Sequence, residues 1–238
     1  MNLFIYINFY FLIFFSIIGY GLFFKRLFLN KNELSLGYCG IYGIFFLIII
    51  SYFSNIFVPQ NNLFNSIILI LGTSYFFYFL FQKKLFRDKD FFLLLAIFLL
   101  LIVFILSAKP HDDFPYYHFP YIHLLTSETS SLGIGIFNHG FRTHSSIFYF
   151  SSLFSLPIIG YGLIHIAPVF FLGFANFIFL KKIIDSLQEK NVNLYIVFLS
   201  LFNLALINIF FYRIGEHGTD RSAQILILLF VTEFLCFI

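Results

Sequence analysis

Charge is scarce in this chain. Asp, Glu, Lys and Arg make up only 11% of its 238 residues, less than half the roughly 25% of an average soluble domain. With 61% hydrophobic residues and a mean hydropathy of +0.94, a soluble core of this length could not hide the apolar surface, and the bilayer is its natural solvent. The formal net charge is only +3, so nucleic acid is not an expected partner. Tryptophan is absent, although 41 residues are Phe. The two cysteines, Cys39 and Cys236, fall in apolar segments, which excludes a disulfide framework and reads as small buried hydrophobes. No basic stretch precedes the first apolar run, so that run reads as a retained helix and not a cleaved signal. Strict alternation of polar and apolar residues is missing, which excludes a membrane barrel. Internal repeats and low-complexity linkers are missing too.

What remains is a series of long apolar runs. Runs of about 20 such residues predict spanning helices, here over 3–24, 35–58, 63–82, 91–108, 163–182 and 193–212, with a seventh begun at 223–238. The stretch 146–180 is too long for one span and short for two. Pro157, Gly160 and Gly162 divide it, which predicts an interfacial helix over 146–157 ahead of the fifth span. The expected fold is an all-α polytopic bundle forming one domain over 1–238. The chain ends inside its last apolar run, the pattern of an N-terminal piece of a longer protein. Ten of the 14 basic residues lie in loops 25–33, 83–90 and 181–190. The positive-inside rule therefore turns the amino terminus and the loops 109–145 and 212–222 outward.

The chemistry-bearing residues gather in those two outward loops. Five of the seven histidines and three of the 11 acids lie between His111 and His144. A charge at mid-bilayer costs about 2.5–3.5 kcal/mol, so Asp112 and Asp113 must sit in water or in a polar cavity. Asp113 can cap a short helix begun by Pro115 and interrupted at Pro120. Downstream, Arg142 between His139 and His144 suits a phosphate or carboxylate. Ser145 or Ser146 can cap the interfacial helix. The loop from Tyr212 to Ser222 packs Arg213, Glu216, His217, Asp220 and Arg221 together. His165 reads as a packing residue.

An acid pair directly after a span, followed by Tyr116-Tyr117-His118 and an interfacial helix, resembles the first outward loop of GT-C-type membrane glycosyltransferases. These polytopic enzymes use polyprenyl-phosphate-linked sugars and place a catalytic acid in that loop. The resemblance covers about 91–222. It implies that Asp112 and Asp113 are catalytic and that Glu216, Asp220 and Arg221 form a second cluster. Three spans precede the one that would come first in that family. On this reading Asp113 activates the acceptor, with Asp112 assisting or binding a divalent metal. Arg142 or Arg221 stabilises the departing lipid phosphate. The expected substrate-binding set is His111, Tyr117, His118, His139, Arg142, Glu216, His217, Asp220 and Arg221. The lipid tail would lie in an apolar groove beside the fifth span and the interfacial helix. The expected partners are the lipid bilayer and a polyprenyl-phosphate-linked sugar on the periplasmic side of a bacterial cytoplasmic membrane. The same loops also resemble stretches of uncharacterised bacterial multi-pass membrane proteins.

Three other classes stay open at this stage. A transporter or flippase would prefer charges inside spans, where only His165 and Glu233 lie. A metal-dependent hydrolase could use His111, Asp112, Asp113 and His118, although His-Glu-x-x-His spacing is absent. A non-catalytic assembly subunit would not need two charged loops.

Overall fold

The computed structural model describes residues 2–29, 35–83, 88–107, 111–130, 133–142, 145–216 and 220–237. Lys31, Lys84, Arg87, Lys109, His144 and His217 lie outside these. Helices α1 (Leu3–Phe28), α2 (Leu36–Asn55), α3 (Asn62–Lys83), α4 (Lys89–Leu100) and α5 (Val103–Leu106) form the first half of the chain. Then come α6 (Phe119–Ser127), α7 (Ser146–Ser152), α8 (Ala167–Gln188), α9 (Leu194–Phe210) and α10 (Asp220–Phe237). No strand forms among the described residues, only an isolated bridge between Leu156 and Gly160. The fold is an all-α bundle.

Five helices are long and apolar enough to cross a membrane: Leu3–Phe28, Leu36–Asn55, Asn62–Gln82, Lys89–Leu106 and Ile164–Gln188. They match the first five expected spans. The expected sixth, α9, is apolar but shorter, and the expected seventh, α10, carries Asp220, Arg221 and Glu233. Phe4, Phe53, Phe81, Phe202 and Phe230 are all exposed on the outer faces of these helices. So large an apolar exterior suits lipid and not water. Polar side chains cap the helix ends: Asn2 Oδ1 accepts from the Phe4 N–H at 3.2 Å, Asp88 Oδ1 from Asp90 at 2.9 Å, and Asn193 Oδ1 from Ile196 at 3.3 Å.

Phenylalanine builds the interior. Phe14, Phe98, Phe170 and Phe174 are fully buried and in ring contact, with Tyr10 stacked on Phe170. The first three spans approach more closely than Phe would allow. A Cβ on Gly19 would collide with the Gly72 carbonyl of α3, and one on Gly43 with the Ile17 carbonyl of α1. Small residues let backbones meet in this way inside membranes, where burial from water supplies no drive between helices.

The expected interfacial helix forms as α7 but ends at Ser152, and its residues from Ile147 to Ser152 are all buried. It is an internal element and offers no surface groove for a lipid tail. The chain then turns through 153–163, with Ile158 at φ 73° and Gly160 at φ 52°. Irregular backbone inside a membrane protein must be satisfied by protein groups. Asn65 Nδ2 donates to the carbonyls of Gln60, Ser152 and Ser155 at 2.8, 2.8 and 2.9 Å. Ser51 Oγ donates to the Tyr149 carbonyl at 2.8 Å, and Asn55 Nδ2 to those of Leu125 and Glu128 at 3.1 and 3.2 Å. This polar layer pins α6 and α7 to the turn between α2 and α3. It fixes one end of the bundle, where the 111–142 segment and the loop before α10 lie.

Candidate functional site

At that end α4 and α5 finish, and the chain enters a π turn over Phe114–His118 that runs directly into α6. Two prolines shape it. Pro115 falls in its first positions, where a missing N–H costs nothing. Pro120 brings no N–H to the Tyr116 carbonyl four residues earlier. Asn138 Nδ2, from the second half of the segment, donates to that carbonyl at 3.0 Å. The halves also meet at Gly140, where a Cβ would strike the Tyr117 side chain. Asp113 occupies the position expected of a helix cap, but its backbone carbonyl does the work, accepting from the N–H groups of Tyr116, Tyr117 and His118. Its carboxylate makes no cap bond and is left to the site.

The π turn brings three groups together. The Asp113 N–H donates to His111 Nδ1 at 3.2 Å, so that nitrogen presents a lone pair. Asp113 Oδ2 lies 3.7 Å from the same nitrogen and accepts from the Tyr117 hydroxyl at 3.3 Å. His118 is 2% exposed and is held among Tyr117, Phe148 and the His111 ring. One ligand atom each of His111, Asp113 and His118 lies within 4.8 Å of the others, so these three residues could hold a metal ion. Partial burial and then the Asp113 carboxylate raise the Tyr117 phenol above its ordinary pKa, so it stays a proton donor.

The second charged loop forms the facing wall. Glu216 is 4% exposed and pairs with two arginines, Arg213 through Nε and Arg221 through Nη2 at 3.5 Å. One carboxylate thus serves two guanidinium groups. Arg221 is lowered from its ordinary pKa by burial first and by Arg213 second. It also stands in the first turn of α10, where the helix dipole disfavours a cation. Its Nη1 is buried with no hydrogen-bond partner among the described residues. This guanidinium lines the cavity between the two walls, where a second anion could pair with it.

The two walls enclose a cavity of about 260 Å³, lined by His111, Asp112, Asp113, Tyr117, His118, Arg213, Ile214, Glu216, Asp220 and Arg221. Eight of the expected site residues meet here. Arg213 joins them. Its signal was its spacing from Glu216, three residues on, which suits an ion pair across one turn. His139 and Arg142 do not line the cavity: both are exposed, and Arg142 Nε donates to the Gly135 carbonyl at 3.1 Å within its own loop. His217 lies outside the described residues. His123 and His165 are structural. His123 Nδ1 bonds the Tyr161 hydroxyl at 2.9 Å, and His165 Nε2 bonds the Phe104 carbonyl at 3.0 Å.

The whole chain, residues 1–238, matches the family described as a domain of unknown function, DUF8201. The chain belongs to that family. No curated protein and no solved structure matches it. In this DUF8201 member the cavity is therefore read from its own residues. An acid and imidazole wall can activate a nucleophile or bind a cation, and an arginine wall can hold a phosphate.

Proposed function

We propose that this protein transfers a sugar from a polyprenyl-phosphate carrier to an acceptor at the periplasmic face of a bacterial cytoplasmic membrane. The observation that carries this reading is the two-walled cavity at one end of an apolar bundle. Such a reaction needs a carboxylate to take a proton from the acceptor and fixed positive charge for the departing lipid phosphate. Asp113 is the base, held by Tyr117, and exposed Asp112 stands beside it. Arg221 and Arg213 receive the phosphate. The carrier's chain lies against the apolar outer surface near the site, where Val103 and Leu106 of α5 are exposed. The orientation rests on the positive-inside bias, since Lys25, Arg26, Lys89, Lys181, Lys182 and Lys190 lie at or near the opposite end.

The test compares cells carrying the wild-type gene with cells carrying the Asp112→Asn, Asp113→Asn double variant at equal membrane abundance. Mass spectrometry of envelope glycans and lipid-linked sugars reads the outcome. Loss of one glycan with accumulation of its lipid-linked donor supports transfer at this cavity. Identical profiles would sink it and bring a transporter or flippase forward.

A further inference from the structure

We infer that His111, Asp113 and His118 form a binding site for one divalent transition-metal ion of the zinc class. The site builds on the proposed transfer centre and refines it, since an Asp113 carboxylate spent as a ligand leaves exposed Asp112 as the base there, but its geometry stands by itself. Residues 113 and 118 are five apart. On an α-helix that separation turns them roughly 140° away from each other. Here the His118 N–H reaches back to the Asp113 carbonyl at 3.4 Å, the five-residue step of a π turn. The wider turn stacks the two side chains on one face, and His111 closes the group from the preceding residues.

The ligand chemistry selects the ion. Two imidazoles and one carboxylate suit zinc, cobalt, manganese or ferrous iron, whereas magnesium and calcium prefer oxygen alone. Ligand atoms around zinc stand roughly 3.3 Å apart, given bonds of about 2.0–2.1 Å. The present spread of at most 4.8 Å therefore closes with about 1.5 Å of side-chain movement. His111 and Asp113 are only half-buried and can supply it. His118 is already fixed by its ring contacts, and His111 Nδ1, which now accepts the Asp113 N–H, is unprotonated and would exchange that bond for the ion when it is the ligand. The Tyr117 hydroxyl on Asp113 Oδ2 orients the carboxylate. Three protein ligands leave a coordination position open. That position adjoins the cavity shared with Arg213 and Arg221, so a phosphate oxygen there would meet the ion on one side and guanidinium on the other.

The test uses the full chain purified in detergent with its affinity tag removed, stripped with chelator and dialysed against zinc or cobalt. Metal content is counted by mass spectrometry, and cobalt is followed by its visible absorption. The wild type should hold one equivalent. His111→Ala, whose side chain is half-exposed, and His118→Ala should each weaken binding by about 100-fold or more, and Tyr117→Phe by about 10-fold. His139→Ala, outside the cavity, should bind as wild type. Thermal unfolding of each metal-free variant identifies any that fails to fold, and His111→Ala keeps the result decisive if His118→Ala does. A wild type without a stoichiometric ion, or a folded His111→Ala variant that binds as wild type, overturns the assignment. No sugar enters this assay, so its failure and the failure of the glycan experiment are separate results.

Discussion

Glu216→Gln isolates the electrostatics of the cavity. The carboxylate is almost fully buried and serves both Arg213 and Arg221. Glutamine keeps its shape but removes the negative charge that pairs with both guanidinium groups. Breaking a fully buried ion pair costs about 3–5 kcal/mol. Here the arginine side chains are 47% and 27% exposed, and screening lowers the cost to about 2 kcal/mol. For a chain of this size that is a loss of roughly 4–8 °C in melting temperature. Much of the loss is repulsion between two like charges, so salt should relieve it: the Debye length falls from about 10 Å at 0.1 M to about 3 Å at 1 M. Thermal unfolding in detergent at both salt concentrations measures this. The deficit should shrink by at least half in high salt, and Arg213→Gln added to Glu216→Gln should restore most of the stability. Equal losses at both salts, or a double variant no better than the single, would refute the two-cations-on-one-acid account.

Other parts of the fold make equally direct predictions. Asn65→Leu removes the side-chain donor that the carbonyls of Gln60, Ser152 and Ser155 share. At about 0.6 kcal/mol per bond inside a membrane protein, with an upper value near 1.7, denaturation in mixed micelles should show a loss of about 1–3 kcal/mol. Gly43→Val drives a side chain into the Ile17 carbonyl of α1. Backbone cannot rotate aside, so the cost is about 1–3 kcal/mol or more, read as a lower yield of monodisperse protein in gel filtration. Burial raises the phenol of Tyr121. The unfolded chain then loses this proton first, so stability present below about pH 10 falls as pH rises beyond it. Thermal unfolding between pH 8 and 11 should show that slope, and Tyr121→Phe should make it shallower.

The division between sequence and structure follows from physical range. Long apolar runs can form only helices in lipid, because each backbone group must find its partner within the segment. The first five spans were therefore legible from 3–24 to 163–182, as was the break at Pro157, Gly160 and Gly162. Asp112 and Asp113 were legible as site residues because a charge beside so much Phe needs a polar place. The tertiary structure decided everything that depends on distance across the bundle. It brought Glu216 and Arg221 to the wall facing Asp113, although two spans separate them in sequence. It turned Arg142 back on its own loop, since a guanidinium takes the nearest carbonyl, here that of Gly135. It drew α7 into the interior, because Asn65 and Ser51 offer donors there that lipid does not. The π turn lay beyond reach of any pattern, because the donor that Pro120 withholds from the Tyr116 carbonyl comes from Asn138, 22 residues along the chain. Composition and local stereochemistry determined that this chain builds helices long and apolar enough to cross a membrane and where its charges can lie. Packing alone determined which of those charges meet, because hydrogen bonds and ion pairs reach only a few ångströms and the chain must fold before they are in range.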